Sequence, residues 1–391
     1  MKIVFVTETF LPSTDGIVTR LCTTIDWLLE QGHEVHVIAP DGGVTEYNGI
    51  AIDLIPSRTF FFYPSKKFSL PNVRVKQLLV SYKPDIIHVV NPALLGISGI
   101  YYGKQLNIPT IASYHTNLAQ YLDYYRMPLL KPLMWTYLRL LHNRADINLC
   151  TSKSVLQELT ERKFKNVFIW DRGVDLHRFH PNKKSEEMRD RLTDGHPEQP
   201  LLLFVGRLAR EKQIHELRRV MDELPDVRLA IVGDGPYREE LKTLFEGTNT
   251  VFTGFLHGEE LAQAYASADL FVFPSTTETV GLVLLEAMAS GLPVVAAKSG
   301  PTLEQVRHGE TGLLYEPEQV DTFPQLVKKM MNNTLRSQMS IKARKHMEKM
   351  GWHHAIEKLF RIYELTVKET NVPSAVSNIS SSKLGNSQSL K

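Results

Sequence analysis

Two doubly wound α/β domains with parallel sheets, facing each other across a cleft, are the fold that this chain of 391 residues predicts. Two observations carry that prediction. Short apolar runs alternate with helical patterns up to about residue 170, and the same alternation starts again at residue 201. Between them lies a stretch, 172–200, rich in charge, Pro and Gly, that reads as a linker region.

Residues 2–7, KIVFVT, have the pattern of a buried strand. A loop from Thr9 to Gly16 follows, then a helix over 17–31 that ends near Gly32. Further strands are expected at 34–39, 50–55, 86–90, 110–113, 146–150 and 167–170. In the second half they fall at 201–205, 227–232, 250–253, 270–273, 293–297 and 312–315. Helices separate them, with two more at 319–331 and 335–349. A last helix over about 352–368 carries Ile356, Leu359, Ile362, Tyr363 and Val367 at helical spacing. Residues 371–391 hold seven serines and three asparagines and are expected to be disordered.

Composition excludes several classes. A hydrophobic content of 43% with 23% charged residues is that of a soluble globular protein, and a net charge of +2 shows no bias toward nucleic acid. The two cysteines, Cys22 and Cys150, have no ligand spacing, which favours a reducing compartment over a disulfide framework or a zinc site. The apolar run at MKIVFVTETF is too short for a signal peptide. The longest uncharged run, Ile86 to Gly103, is broken by Asn91, Pro92 and three glycines, so membrane contact is expected to be peripheral.

Chemistry concentrates where the strands end. After Phe271-Val272-Phe273, Pro274 stops the ladder, and a polar turn leads into an apolar helix from about Gly281 to Ser290. Glu286 sits inside that helix and Glu278 eight residues earlier. A buried carboxylate needs a partner; a nearby Arg or Lys, or the hydroxyl groups of a ligand, would serve. The backbone N–H groups of Thr279, Val280, Gly281 and Leu282 lie at the helix N-terminus, a natural phosphate cradle. Strand 201–205 runs into Gly206-Arg207, with Lys212 five residues on, cations placed to close over a diphosphate or simply to form a solvated turn. Gly233-Asp234-Gly235 starts like a dinucleotide fingerprint but has Arg238 where the third glycine belongs. His115 follows a strand and is expected to face the cleft, as a site residue or a structural one. Gly16 permits close backbone approach at the first helix N-terminus. No metal is expected, since no Asp-x-Asp pair occurs and the histidines have no helical ligand spacing beside carboxylates. Residues 58–70 and 118–144 interleave aromatic and aliphatic side chains with cations, in the manner of a membrane-interface segment or of a helix packed on the core.

These residues resemble the family 4 retaining glycosyltransferases of GT-B fold. The Glu278–Glu286 pair is similar to that family's donor signature, Gly206-Arg207 and Lys212 to its diphosphate contacts, and Arg-Gly-Val-Asp at 172–175 to its interdomain signature. The stretches TETFLPSTDGIVTRL, HVVNPALLGISGIYY, ASYHTNLAQYL and WDRGVD resemble the branch that transfers sulfoquinovose from UDP-sulfoquinovose to diacylglycerol. One departure is Gly300-Pro301-Thr302-Leu303, where relatives often carry Gly-Gly-Ile-Pro. The resemblance implies that helix 352–370 returns to an acceptor-side domain of residues 1–171, while 172–351 hold the nucleotide-sugar. It implies Glu286 on the ribose, Glu278 on the sugar, Arg207 and Lys212 on the diphosphate, and Gly16 and Gly233 in the donor site. His115 would lie at the sugar C6 end, with Arg20 or Arg172 as further cations for a sulfonate. It also implies no cofactor, and peripheral association with an anionic photosynthetic or plasma membrane.

Three other functions fit parts of the chain. A glucosyl- or mannosyltransferase acting on diacylglycerol or another lipid uses the same residues. A nicotinamide-dependent oxidoreductase is opposed by the broken glycine fingerprint. A non-catalytic sugar-nucleotide sensor is opposed by the intact set Arg207, Lys212, Glu278 and Glu286.

Overall fold

The computed structural model describes residues 1–371 apart from Thr14, Phe61, Phe62, Tyr125, Arg126 and Thr279. Among the described residues the first sheet has eight strands. Their order is Val167–Ile169, Ile147–Cys150, Thr110–Ser113, Ile86–Val90, Lys2–Thr7, Glu34–Pro40, Ile50–Ile55 and Glu46–Tyr47. Every neighbouring pair is parallel except the last, an antiparallel edge that the sequence pattern did not predict. The second sheet is wholly parallel, with six strands in the order Thr250–Gly254, Arg228–Val232, Leu201–Val205, Leu270–Phe273, Val294–Ala297 and Gly312–Tyr315. Central strands such as LLLFV and LFVF bury every side chain, because helices cover both faces of a parallel sheet.

Strand order reverses between Lys2–Thr7 and Ile86–Val90 in the first sheet and between Leu201–Val205 and Leu270–Phe273 in the second. Ligands of doubly wound sheets bind beyond the strand ends at such points. The loops that leave these four strands carry Glu8 to Gly16, Asn91 onward, Gly206 to Lys212, and Pro274 to Gly281.

The stretch read as a linker is more ordered than its composition suggests. It holds a helix, Glu186–Leu192, whose Met188 and Leu192 belong to the second core. Ser185 caps that helix and Glu186 and Glu187 fill its first turn, so charge here marks a helix start. The chain crosses between the domains at 170–174 and again at 350–352. Val174 donates its N–H to the Met350 carbonyl at 2.9 Å, and a Cβ on Gly173 would stand 2.7 Å from the Trp352 Cα. The last helix, Trp352–Asn371, places Leu359, Ile362 and Tyr363 in the first core. The sequence expectation for 372–391 lies outside the described residues.

Stretch 58–70 forms an antiparallel ribbon of Arg58–Phe60 with Tyr63–Phe68. In stretch 118–144 the helix Lys131–His142 buries Trp135, Leu138 and Leu141 on one side. Leu129, Leu133 and Leu140 remain exposed, at 92%, 68% and 58%. No helix among the described residues is long and apolar enough to cross a membrane.

Candidate active site

Strand Leu270–Phe273 ends at Pro274, and the next helix is Leu282–Ala289. Gly281 precedes it with φ 68° and ψ 55°, a left-handed conformation that glycine adopts without a Cβ penalty. Its N-cap position, being glycine, has no side chain to cap the helix N-terminus. The carbonyl of Val280 accepts a hydrogen bond from Gln305, which pins the turn from behind. Thr279 lies outside the described residues.

Arg207 and Lys212 reach the same switch point from the adjacent strand, each already facing a carboxylate. Arg207 pairs with Glu211, which is fully buried, and Lys212 pairs with Glu278. Ser275 also donates to Glu278, at 3.2 Å. Burial alone would lower the Lys212 pKa, but Glu278 beside it outweighs that and holds it raised. These two ion pairs keep the cations in place while holding the pocket near neutrality. An anionic ligand binding here would share each cation with its carboxylate.

Glu286 has a protein partner that sequence reading did not name. The Tyr265 hydroxyl donates to its Oε2 at 2.8 Å, from helix Gly258–Ser267. Burial pushes the Glu286 carboxyl up to about 7, against the opposing pull of Tyr265 and Arg178. Its second oxygen still has acceptor capacity.

Gly233 meets a need of the backbone. With φ 135°, it sits where a Cβ would stand 2.0 Å from the Gly206 carbonyl oxygen. Gly235 is equally constrained, with a Cβ at 2.3 Å from the Leu208 oxygen. The Gly-Asp-Gly run thus lets the loop after strand Arg228–Val232 lie against the loop after strand Leu201–Val205.

From the first domain, Gly16 opens the helix Gly16–Glu30, capped by the Asp15 carboxylate on the Val18 N–H at 3.2 Å. A Cβ on Gly16 would lie 3.3 Å from Leu282 Cδ1. Two helix N-termini from different domains therefore meet across the cleft. Tyr121, on helix Leu118–Tyr124, lies within the electrostatic reach of Lys212, Arg207 and Glu278, although burial is the main cause of its raised pKa. Sequence reading missed Tyr121, one aromatic among many in its stretch.

His115 is 6% exposed, and its Nε2 lies 2.9 Å from Ser113 Oγ. Asn91 Oδ1 accepts from the N–H groups of His115 and Thr116, fixing the loop. Burial, then the charge of Arg20, holds the His115 pKa well below its ordinary value, so the ring is neutral.

The two cations suggested for a sulfonate each have protein partners, with Arg20 Nε and Nη1 and Arg172 Nη1 left over. Arg20 is buried with its guanidinium 3.8 Å over Trp170, and its Nη2 donates to the Trp170 carbonyl at 2.7 Å and to that of Asp171. Arg172 pairs with Glu304 at 2.7 Å. Glu304 also accepts the N–H groups of Lys153 and Ser154 at 3.1 and 2.8 Å, so a carboxylate of the second domain caps a helix of the first. Burial opposes the ionisation of Glu304, and these donors overcome it, lowering its pKa. The segment that departs from Gly-Gly-Ile-Pro makes this contact, with Gly300 against Ser154.

Residues 14–178 match the family described as Glycosyltransferase Family 4, and residues 187–346 match Glycosyl transferases group 1. Sulfoquinovosyl transferase SQD2 of Arabidopsis thaliana is 39% identical over 355 residues, covering 88% of this chain and 69% of that protein. This chain belongs to glycosyltransferase family 4.

Other members of the family are similar to it at nearly the same level. A GDP-mannose-dependent alpha-mannosyltransferase of Mycolicibacterium smegmatis is 35% identical, covering 96% of this chain and all of that protein (100%). Alpha-monoglucosyldiacylglycerol synthase of Streptococcus pneumoniae is 34% identical over 76% of this chain and 71% of that one. Among solved structures, Anabaena HepE in complex with UDP and glucose superposes with a TM-score of 0.75 at 18% identity, covering 93% of this chain and 99% of that chain. The fold of this family 4 glycosyltransferase is GT-B, two Rossmann-like domains with parallel sheets.

Proposed function

We propose that this glycosyltransferase moves sulfoquinovose from UDP-sulfoquinovose to diacylglycerol, with retention at the anomeric carbon. The observation that carries this reading is the 39% identity to SQD2 over 88% of the chain. The mannosyl- and glucosyltransferase relatives favour a second reading, the transfer of mannose or glucose to a lipid.

In the proposed reaction the donor diphosphate lies against the N-terminus of helix Leu282–Ala289, between Arg207 and Lys212. Glu286 accepts from the ribose hydroxyls with the oxygen opposite Tyr265, and Glu278 takes the sugar hydroxyls. As the glycosidic bond breaks, negative charge grows on the departing phosphate, where the two cations and the helix N–H groups stabilise it. The acceptor hydroxyl attacks from the face that the phosphate leaves and passes its proton to that phosphate. His115 donates to the C6 end of the sugar. Exposed Leu129, just before helix Lys131–His142, and Leu133 and Leu140 on it, with Lys131 and Arg139 of that helix, dock the first domain on an anionic bilayer.

The test is incubation with anionic vesicles containing diacylglycerol and a panel of UDP-sulfoquinovose, UDP-glucose and GDP-mannose, at low and at high salt. Sulfoquinovosyldiacylglycerol by mass, formed faster at low salt, is the expected product. A mannosylated or glucosylated lipid as the main product would replace this reading with the second.

A further inference from the structure

Four side chains form one hydrogen-bonded line from the last helix to the candidate-site histidine. The Tyr363 hydroxyl lies 2.6 Å from His88 Nδ1, His88 Nε2 lies 2.8 Å from Ser113 Oγ, and Ser113 Oγ lies 2.9 Å from His115 Nε2. Tyr363 and His88 are fully buried, and Ser113 is 1% exposed. Trp170 walls the line, its ring 5.3 Å from both imidazoles, and the Arg20 guanidinium lies over that indole.

The chemistry of these groups gives the line a direction. Burial and then Arg20 push His88 down to about 3 and hold His115 well below its ordinary value. Each ring is therefore neutral and carries one N–H. The Tyr363 hydroxyl has His88 as its hydrogen-bond partner among the described residues. If it accepted from His88, its own proton would be buried without an acceptor, which is the costly arrangement. Tyr363 therefore donates to His88 Nδ1, and His88 carries its proton on Nε2 and donates to Ser113. The single Ser113 proton then goes to His115 Nε2, and the proton of His115 is left on Nδ1.

We propose that Tyr363 is a positioning residue for His115: through His88 and Ser113 it holds that ring as the Nδ1–H tautomer, a hydrogen-bond donor on the side away from Ser113. The inference deepens the role given above to His115 at the sugar, and it gives the last helix a part in the active site. His88 and Ser113 act through His115 in the same way. Arg20 contributes by keeping both rings neutral, since a second proton on either would reverse part of the line.

Long-range 1H–15N correlation spectra of the full chain, labelled at histidine and assigned with His88→Gln and His115→Gln, test this without any sugar nucleotide. The outcome is thus independent of the donor's identity. At pH 7 the expected result is a proton on Nδ1 of His115 and on Nε2 of His88. Tyr363→Phe removes the group that sets the direction. The ratio of Nδ1–H to Nε2–H tautomer at His115 is then expected to fall at least about five-fold, the equivalent of one buried hydrogen bond of about 1 kcal/mol. Ser113→Ala cuts the line at its midpoint and should lower the same ratio with Tyr363 intact. A proton on Nε2 of His115 in the unaltered chain would overturn the proposal. So would an unchanged His115 ratio in folded Tyr363→Phe or in Ser113→Ala.

Discussion

In the first domain, helix Leu95–Gln105 begins against the carboxylate of Glu8, which accepts from the N–H groups of Ala93, Leu94 and Gly96 at 2.8 Å and of Leu95 at 3.2 Å. In the second, helix Leu282–Ala289 begins after Gly281, which has no side chain of its own to cap it. The two helices hold equivalent places. Each follows the strand paired with the first strand of its sheet across the reversal of strand order. Glu8 lies just after that first strand in one sheet, and Arg207 lies just after it in the other. An acid on this loop fills the partial positive charge of the neighbouring helix end from within the protein. A cation there cannot do so, and it adds to the attraction for an anionic ligand. One switch point is thereby closed to phosphate, and the proposed reaction puts the diphosphate at the other.

Arg207→Glu would give the second domain the charge arrangement of the first. UDP binding by calorimetry is expected to disappear, and Arg207→Ala should lower kcat by about 10²–10³, the scale of losing one donor at a site of developing charge. Retained UDP affinity in Arg207→Glu would break the comparison. The converse change is Glu8→Ala, which removes the acceptor of four N–H groups. It should cost about 2–3 kcal/mol in urea unfolding and make the thermal midpoint rise with added sulfate, as the freed helix end takes an anion. A midpoint indifferent to sulfate would mean that the helix end had rearranged.

The smallest expected effect concerns pH. The Glu286 carboxyl is raised to about 7, and in the proposed complex it would be ionised to accept from both ribose hydroxyls. UDP affinity should therefore rise with pH, up to about ten-fold between pH 6 and 8. Glu286→Gln should flatten that part of the profile, while Glu278→Ala leaves it in place and weakens UDP less. An identical pH profile in Glu286→Gln would remove the ribose assignment.

The sequence pattern made the alternation of strands and helices legible almost residue by residue, with strands 201–205 and 312–315 matched at both ends. The elements of the candidate site were legible too, because Gly281, Glu286 and Arg207 owe their places to local rules of turns and helices. What was not legible is pairing across the chain. Glu8 meets residues more than 80 positions away, Glu304 meets Ser154 across 150, and Tyr363 meets His88 across 275. Periodicity shows which face of an element is apolar, but not which polar side chains meet behind it. The partner of Glu286 was missed for that reason, since Tyr265 lies on a helix with no mark of a site. The helix Glu186–Leu192 was missed because its charged composition outweighed its capping serine.

The last helix has a further consequence, for the order of events during synthesis. Trp170 and the strands around it share one core with Leu359, Ile362 and Tyr363. A ribosome that has just delivered Trp170 has still to make the helix that completes this core. At roughly 5–20 residues per second, that interval is on the order of ten to forty seconds. Throughout it, the newborn first sheet exposes an apolar flank, while the second domain, assembled entirely from the intervening chain, is free to fold first.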